Sequence, residues 1–227
     1  KATLDAIPKD VIDDIILIDD ASKDNTVGVA RGLGLKVFTH SKNLGYGGNQ
    51  KTCYKEALKL NADIAVMVHP DFQYDPIFIP EMIIPILNDE CDAVFGSRMK
   101  IRENALKGGM PYWKYLANIF LTKIENLILG NNLTEYHSGF RAYNKKVMML
   151  PLELNSNDFV FDTEIIVQMK IADMKIKEIP ISTKYFPEAS QINFKRSVQY
   201  GFAILNVLRK YILFKFKIRK YKQFQII

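Results

Sequence analysis

Three short apolar runs in the first hundred residues, each cut off by polar residues that cannot continue it, restrict this chain more than any other feature. Ile15-Ile-Leu-Ile18 stops at Asp19-Asp20, Ile64-Ala-Val-Met-Val68 stops at His69-Pro70-Asp71, and the run from Cys91 stops at Ser97-Arg98. Short β-branched runs bounded by breakers read as buried strands rather than helices. Between them lie a helical stretch through Arg31, a strand at Lys36-Val-Phe-Thr39, and helices over residues 50–60 and 80–88. The order β-α-β-α-β-α-β predicts a mainly parallel, Rossmann-like α/β sheet with helices on both faces, residues 64–68 being its central strand. Right-handed crossovers put the strand C-termini on one edge, where open α/β sheets bind ligands. That edge gathers Asp19, Asp20, Asp71, Gln73 and Arg98.

Later segments are less regular. Residues 112–129 form a long Leu- and Ile-rich helix, residues 136–143 return to the sheet, residues 159–169 begin as strand and continue as helix, and residues 176–181 are a strand. With 227 residues, 48% of them hydrophobic, the chain can bury the core of one such domain, and disorder is excluded. Cys53 and Cys91 show neither metal spacing nor a disulfide framework, which points to a reducing compartment. Nothing approaches the ~18 uninterrupted apolar residues of a membrane span.

The net charge of +6 conceals an asymmetry: from Lys195 onward there are nine Lys/Arg and no Asp/Glu, leaving 22 basic against 25 acidic residues before it. Residues 1–195 are therefore expected to form the catalytic-type domain, and residues 196–227 a basic amphipathic segment. Its interleaved Tyr200, Phe202, Tyr211, Phe214, Phe216, Tyr221 and Phe224 suit a membrane interface. Nucleic-acid stacking uses the same residue types, but nothing else in the chain supports it, so no nucleic-acid partner is expected.

Five motifs stand together in order: Ile16-Leu-Ile-Asp-Asp-Ala-Ser-Lys-Asp-Asn-Thr26, Asn43-Leu-Gly-Tyr-Gly-Gly48, Asp71-Phe-Gln-Tyr-Asp-Pro76, Gly96-Ser-Arg98 and Ser138-Gly-Phe-Arg-Ala-Tyr143. Their joint spacing resembles family 2 glycosyltransferases of the GT-A fold, particularly the dolichyl- and polyprenyl-phosphate sugar synthases, over roughly residues 1–200. The resemblance implies an inverting, metal-dependent enzyme that moves a sugar from a UDP- or GDP-sugar donor to a polyprenyl or dolichyl phosphate. A peripheral position on the cytoplasmic face of a membrane follows as an expectation. Family members begin with a strand and a Val-Ile-Pro-Ala-Tyr-Asn-Glu type loop. This chain starts about a helix later, so that first strand is expected to be missing, and a lost central strand exposes its neighbours' backbone groups.

Such transfer needs the leaving diphosphate neutralised, usually by Mg²⁺ or Mn²⁺, which take oxygen ligands. Asp71 is the expected catalytic ligand and Gln73 a second oxygen. His69 stands where most relatives carry the first Asp of Asp-x-Asp; it either adds a nitrogen ligand, which suits Mn²⁺, or only caps the strand or hydrogen-bonds a phosphate. Asp19, Asp20 and Asp24 are expected at the nucleobase and ribose, with Asn43, Gly45 and Gly48 in a loop that lets backbone approach a ligand; helix capping is the competing use of Asp24. Arg98 and Arg141 are candidate phosphate forks, or salt-bridge anchors. Asp162 and Glu164 lie where many family 2 enzymes place the base that a hydroxyl acceptor needs; a lipid phosphate, already an anion, needs none. The alternatives are a saccharide acceptor in cell-surface polysaccharide synthesis, and a glycosyltransferase-like module that binds nucleotide without turnover.

Overall fold

The computed structural model describes residues 1–183, 185 and 193–226. Helix α1 (Ala2–Ala6) precedes strand β1 (Ile16–Asp19), helix α2 (Thr26–Gly32), strand β2 (Lys36–Thr39) and helix α3 (Tyr46–Lys59). Strand β3 (Ile64–Met67) leads to helix α4 (Ile79–Leu87) and strand β4 (Ala93–Ser97), followed by helices α5 (Arg102–Lys107) and α6 (Tyr112–Leu129). Strand β5 (Arg141–Asn144), helices α7 (Lys145–Met148) and α8 (Phe161–Ile171), strand β6 (Ile176–Pro180) and helix α9 (Phe194–Lys215) complete the order.

The expected single sheet is divided. Among the described residues β1 pairs only with β2, in parallel, while the other strands form a four-stranded sheet in the order β3-β5-β4-β6. β3 is thus an edge strand, half-buried along its length, rather than the centre. The reason lies in the second half of the chain. Arg141–Asn144 runs antiparallel between β3 and β4 and pairs with both, which pushes them apart. β6 then adds parallel to β4 on the far side. Among the described residues, β1 and β3 each keep one edge without a strand partner. Residues 159–160 open as a turn into α8, not as a strand, because Phe161, Ile165, Ile166 and Met169 recur at helical spacing against the core.

Alternation along the strands builds a core on each face. Ala93 and Phe95 of β4 with Tyr143 of β5 face α8 and α9, whereas Val94 and Ala142 face α4. The basic C-terminal segment joins the first of these cores: Ile204, Val207, Leu208 and Phe224 are essentially buried there. Among the described residues no helix is long and apolar enough to cross a membrane.

Candidate active site

Just past β1 and β3 stand carboxylates each followed by a left-handed residue, Ala21 (φ 61°) after Asp20 and Phe72 (φ 58°) after Asp71. For side chains with a Cβ this costs about 1–2 kcal/mol each, and it turns the chain sharply off the sheet just past each acid. Asp71 Oδ1 accepts the Gln73 amide at 3.0 Å, which folds Gln73 back into a buried position. His69 lies under them with its ring stacked against Tyr46 (centroids 6.1 Å apart) and tilted against Tyr74 (5.9 Å). Gly139 passes so close that a Cβ there would meet His69 Nε2 at 2.5 Å. Burial holds the imidazole below its ordinary pKa, against the pull of Asp71 and Asp162, so it is neutral at pH 7.

Tyr46 connects this strand end to α8. Its hydroxyl donates to Asp162 Oδ2 at 2.9 Å, and its ring stacks on Phe159 at 5.0 Å. Burial raises the Asp162 carboxyl, and Arg141, 3.6 Å away, offsets that only in part. Arg141 is itself buried: its guanidinium donates to the carbonyls of Ser138 and Tyr136 and to the Tyr143 hydroxyl, and lies 4.6 Å from the Phe95 ring centroid. Glu164, the other candidate base, accepts the Ser156 amide and the Gln223 side chain.

Several expected ligand contacts are occupied by the protein. The Asp20 carboxylate accepts the amides of Leu44 and Gly45 and pairs with His40 Nδ1 at 2.8 Å; it shapes the glycine loop from below. Asp19 accepts the Ser22 amide, and Asn43 accepts the Gly45 amide and donates to the Asp20 carbonyl. Exposed Asp24 accepts the Thr26 amide and hydroxyl in a local turn just before α2, whose N-cap position is Asn25 rather than Asp24. The glycines answer to residues 156–157: Gly45 has φ 84° and a Cβ on it would meet the Asn157 carbonyl at 2.6 Å, while Gly47 and Gly48 donate to that oxygen. Lys51 ties the same segment to α3 through Asn155 and Asn157. The phosphate role expected of Arg98 is not what its donors do here. Arg98 is buried and forks onto Glu135, with further bonds to the Tyr185 hydroxyl and the His137 carbonyl. Burial alone would raise the Glu135 carboxyl, but Arg98 and the Asn118 amide hold it below its ordinary value.

The strand-end acids, the glycine loop and the Ser138–Arg141 turn thus meet at one edge, in the arrangement of a nucleotide-sugar enzyme. The family model Glycosyl transferase family 2 matches residues 3–149. The chain belongs to glycosyl transferase family 2. It is similar to the UDP-N-acetylglucosamine–dolichyl-phosphate N-acetylglucosaminyltransferase of Methanococcus voltae, with 35% identity over 191 residues covering 76% of this chain and 75% of that one. An uncharacterized protein of Methanocaldococcus jannaschii is 33% identical over 187 residues, covering 81% and 75%. Among solved structures, glucosyl-3-phosphoglycerate synthase from Mycobacterium tuberculosis with Mn²⁺, UDP-glucose and phosphoglyceric acid superposes with a TM-score of 0.65 at 16% identity, over 92% of this chain and 72% of that one. This glycosyltransferase therefore has the GT-A fold.

Behind the site of this family 2 enzyme lies a second group of polar side chains that the motifs do not announce. Glu125 of α6 and His137 approach to 3.2 Å, both buried, and His137 Nδ1 is 3.4 Å from the Tyr200 hydroxyl of α9. Neither Glu125 oxygen, nor His137 Nε2, nor Thr163 Oγ1 has a well-aligned hydrogen-bond partner. Burial pushes the Glu125 carboxyl well above its ordinary 4.5 and the His137 imidazole down to about 3, so the pair is neutral. Linkage gives the signs. Folded Glu125 keeps a proton that the unfolded chain releases above pH 4.5, so its contribution falls as pH rises. Unfolded His137 binds a proton below pH 6.5 that the folded ring refuses until about pH 3, so its contribution falls as pH drops through that window. Above pH 6.5 only the Glu125 slope remains, about 1.4 kcal/mol per pH unit until the folded carboxyl ionises. Urea denaturation of wild type and Glu125→Gln at pH 6.5 and 8.5 is expected to show wild type losing stability relative to the variant as pH rises. Parallel pH profiles would mean an ionised Glu125.

Tyr46, His40, Lys51, Glu125 and Glu135 were not predicted from sequence. Two left a trace: a tyrosine inside Gly45-Tyr-Gly-Gly48, and a lone carboxylate in the apolar stretch around Glu125.

Proposed function

We propose that this glycosyltransferase moves a sugar from a UDP- or GDP-sugar to a polyprenyl or dolichyl phosphate, with inversion at the anomeric carbon. The observation that carries this reading is how Asp162 is held. A carboxylate already bonded to Tyr46 and facing Arg141 is poorly placed to take a proton from a sugar hydroxyl. A phosphate monoester needs no such base. The similarity to an enzyme whose printed acceptor is dolichyl phosphate supports the same acceptor.

In this reading a lipid phosphate oxygen bonds to the anomeric carbon while the bond from that carbon to the donor diphosphate breaks, releasing the nucleoside diphosphate. Asp71, with Gln73 behind it, faces that diphosphate; Tyr46 and Asp162 hold His69 and the strand end in register. Among the described residues no three His, Cys, Asp or Glu side chains form a set that could hold a metal alone. The oxygen donors Asp71 and Gln73 nevertheless fit a hard cation that draws its remaining ligands from the donor's phosphates. Bound there, Mg²⁺ or Mn²⁺ would supply Lewis-acid stabilisation of the leaving diphosphate. His69, boxed by two tyrosines and Gly139, serves better as a packing residue than as a third ligand. The enzyme is placed at the cytoplasmic face of a membrane through its C-terminal segment, residues 196–227, with residues 1–195 as the catalytic domain.

The test is incubation with radiolabelled UDP- and GDP-sugars, Mn²⁺ and a polyprenyl phosphate. Label is expected in the organic-extractable fraction. Label that stays in water-soluble saccharide, with strong dependence on Asp162, would select the saccharide acceptor instead.

A further inference from the structure

Helix α9 carries two apolar faces. One is the buried face described above. The other is exposed: Phe194, Val198, Phe202, Leu205, Ile212 and Phe216 recur at spacings of three, four or seven, a single stripe down the helix. Phe202 is 68% exposed and Phe216 69%. Helix α6 repeats the pattern with Trp113, Leu116, Phe120 and Leu127, the last 84% exposed. The two stripes adjoin. Trp113 meets Phe194 edge to face at 5.3 Å, and Leu121 of α6 lies beside Gly201 of α9. A soluble surface rarely leaves so much contiguous aromatic and aliphatic area uncovered.

We propose that α6 and α9 together form one face that docks on an anionic lipid bilayer. Charge selects this occupant over a second copy of the chain. The stripe of α9 is bordered by Lys195, Arg209 and Lys215, and the segment from Lys195 onward carries no Asp or Glu. Two copies meeting along it would oppose like charges, whereas anionic headgroups complement them and aromatic side chains suit the interface. The placement also has a consequence for the reaction. The first turns of α9 border a cleft of about 150 Å³, lined in part by Ser156, Phe159, Arg196 and Tyr200. Phe159 in turn stacks on Tyr46, which bonds Asp162. Arg196, Tyr200 and Ala203 line the cleft from the side of α9 away from the stripe, so docking by this face leaves the cleft, one ring away from the site, uncovered. The proposal deepens the lipid-acceptor reading and rests on it for its purpose; it adds α6, which lies outside the basic segment, to the contact.

Trp113 is the only tryptophan, so its emission reports α6 directly. The full chain is mixed with vesicles of phosphatidylcholine alone or of phosphatidylcholine with phosphatidylglycerol, which supplies the negative surface potential that attracts basic segments. Co-flotation with the anionic vesicles only, a blue shift of Trp113 emission and its quenching by brominated acyl chains are expected. Leu116→Glu with Phe120→Glu on α6, and Phe202→Glu on α9, should each lower the bound fraction by about tenfold or more, with nucleotide binding unchanged. Unshifted Trp113 emission in the floated protein, undiminished binding of the α6 variant, equal binding to neutral vesicles, or a dimer in vesicle-free buffer that the same substitutions dissolve would each overturn the proposal. Transfer to a short-chain, water-soluble polyprenyl phosphate reads the active site separately. Its absence alongside vesicle binding would reject the acceptor and not the face.

Discussion

Asp71→Asn is expected to lower sugar transfer by about a thousandfold or more while leaving the fold intact. The estimate follows from the position of the carboxylate. It sits past the end of β3, where its Oδ1 accepts the Gln73 amide. If it anchors the cation that neutralises the leaving diphosphate, its loss removes several kcal/mol of transition-state stabilisation, and about 4 kcal/mol is a thousandfold. The isosteric amide keeps an acceptor oxygen for Gln73, so the melting temperature should move little. Calorimetry supplies the second readout. Mn²⁺ alone should give wild type no detectable heat, because the described residues offer too few ligands without a nucleotide. Mn²⁺ with UDP or GDP should bind wild type and not Asp71→Asn. Transfer within tenfold of wild type in the variant would place the diphosphate elsewhere.

The largest stability effect is expected at Glu135. Its carboxylate is fully buried and accepts the Arg98 backbone amide and guanidinium and the Asn118 side chain. Glu135→Ala leaves an arginine buried without its counter-ion, which costs about 3–5 kcal/mol. In a chain of this size that lowers the melting temperature by roughly 6–20 °C. Arg98→Met with Glu135→Leu removes both charges and should recover most of the loss, since paired burial contributes little net stability. Thermal melts of wild type and the two variants decide it. Equal losses in the single and double variants would show that Glu135 acts through packing rather than charge.

The same pair shows where sequence reasoning reaches its limit. Arg98 follows a strand that ends at the ligand edge, and that position is readable from the apolar run before it. Its partner is not, because Glu135 is 37 residues away and meets Arg98 only after α6 has folded back. Asp20 gives the same lesson within one loop. It was expected at a nucleotide, and it sits at the right edge, yet both its oxygens are taken by Leu44, Gly45 and His40. The glycines were expected to admit a ligand, and the space they free is filled by the protein: the backbone of residues 156–157 at Gly45 and Gly47, and the Leu44 side chain at Gly48. Composition told which residue types the edge would carry but not which of them the protein itself would use.

Local pattern alone determined the α/β class, the positions of the strands, the carboxylate-bearing edge and the family, because each depends on residues close in sequence and on the two- and 3.6-residue periodicities. Tertiary structure alone decided that β5 separates β3 from β4, that Tyr46, His69, Asp162 and Arg141 form one connected group, and that α6 and α9 share an exposed face. Those facts depend on contacts between segments up to 116 residues apart, and one sequence records no pairing at such range.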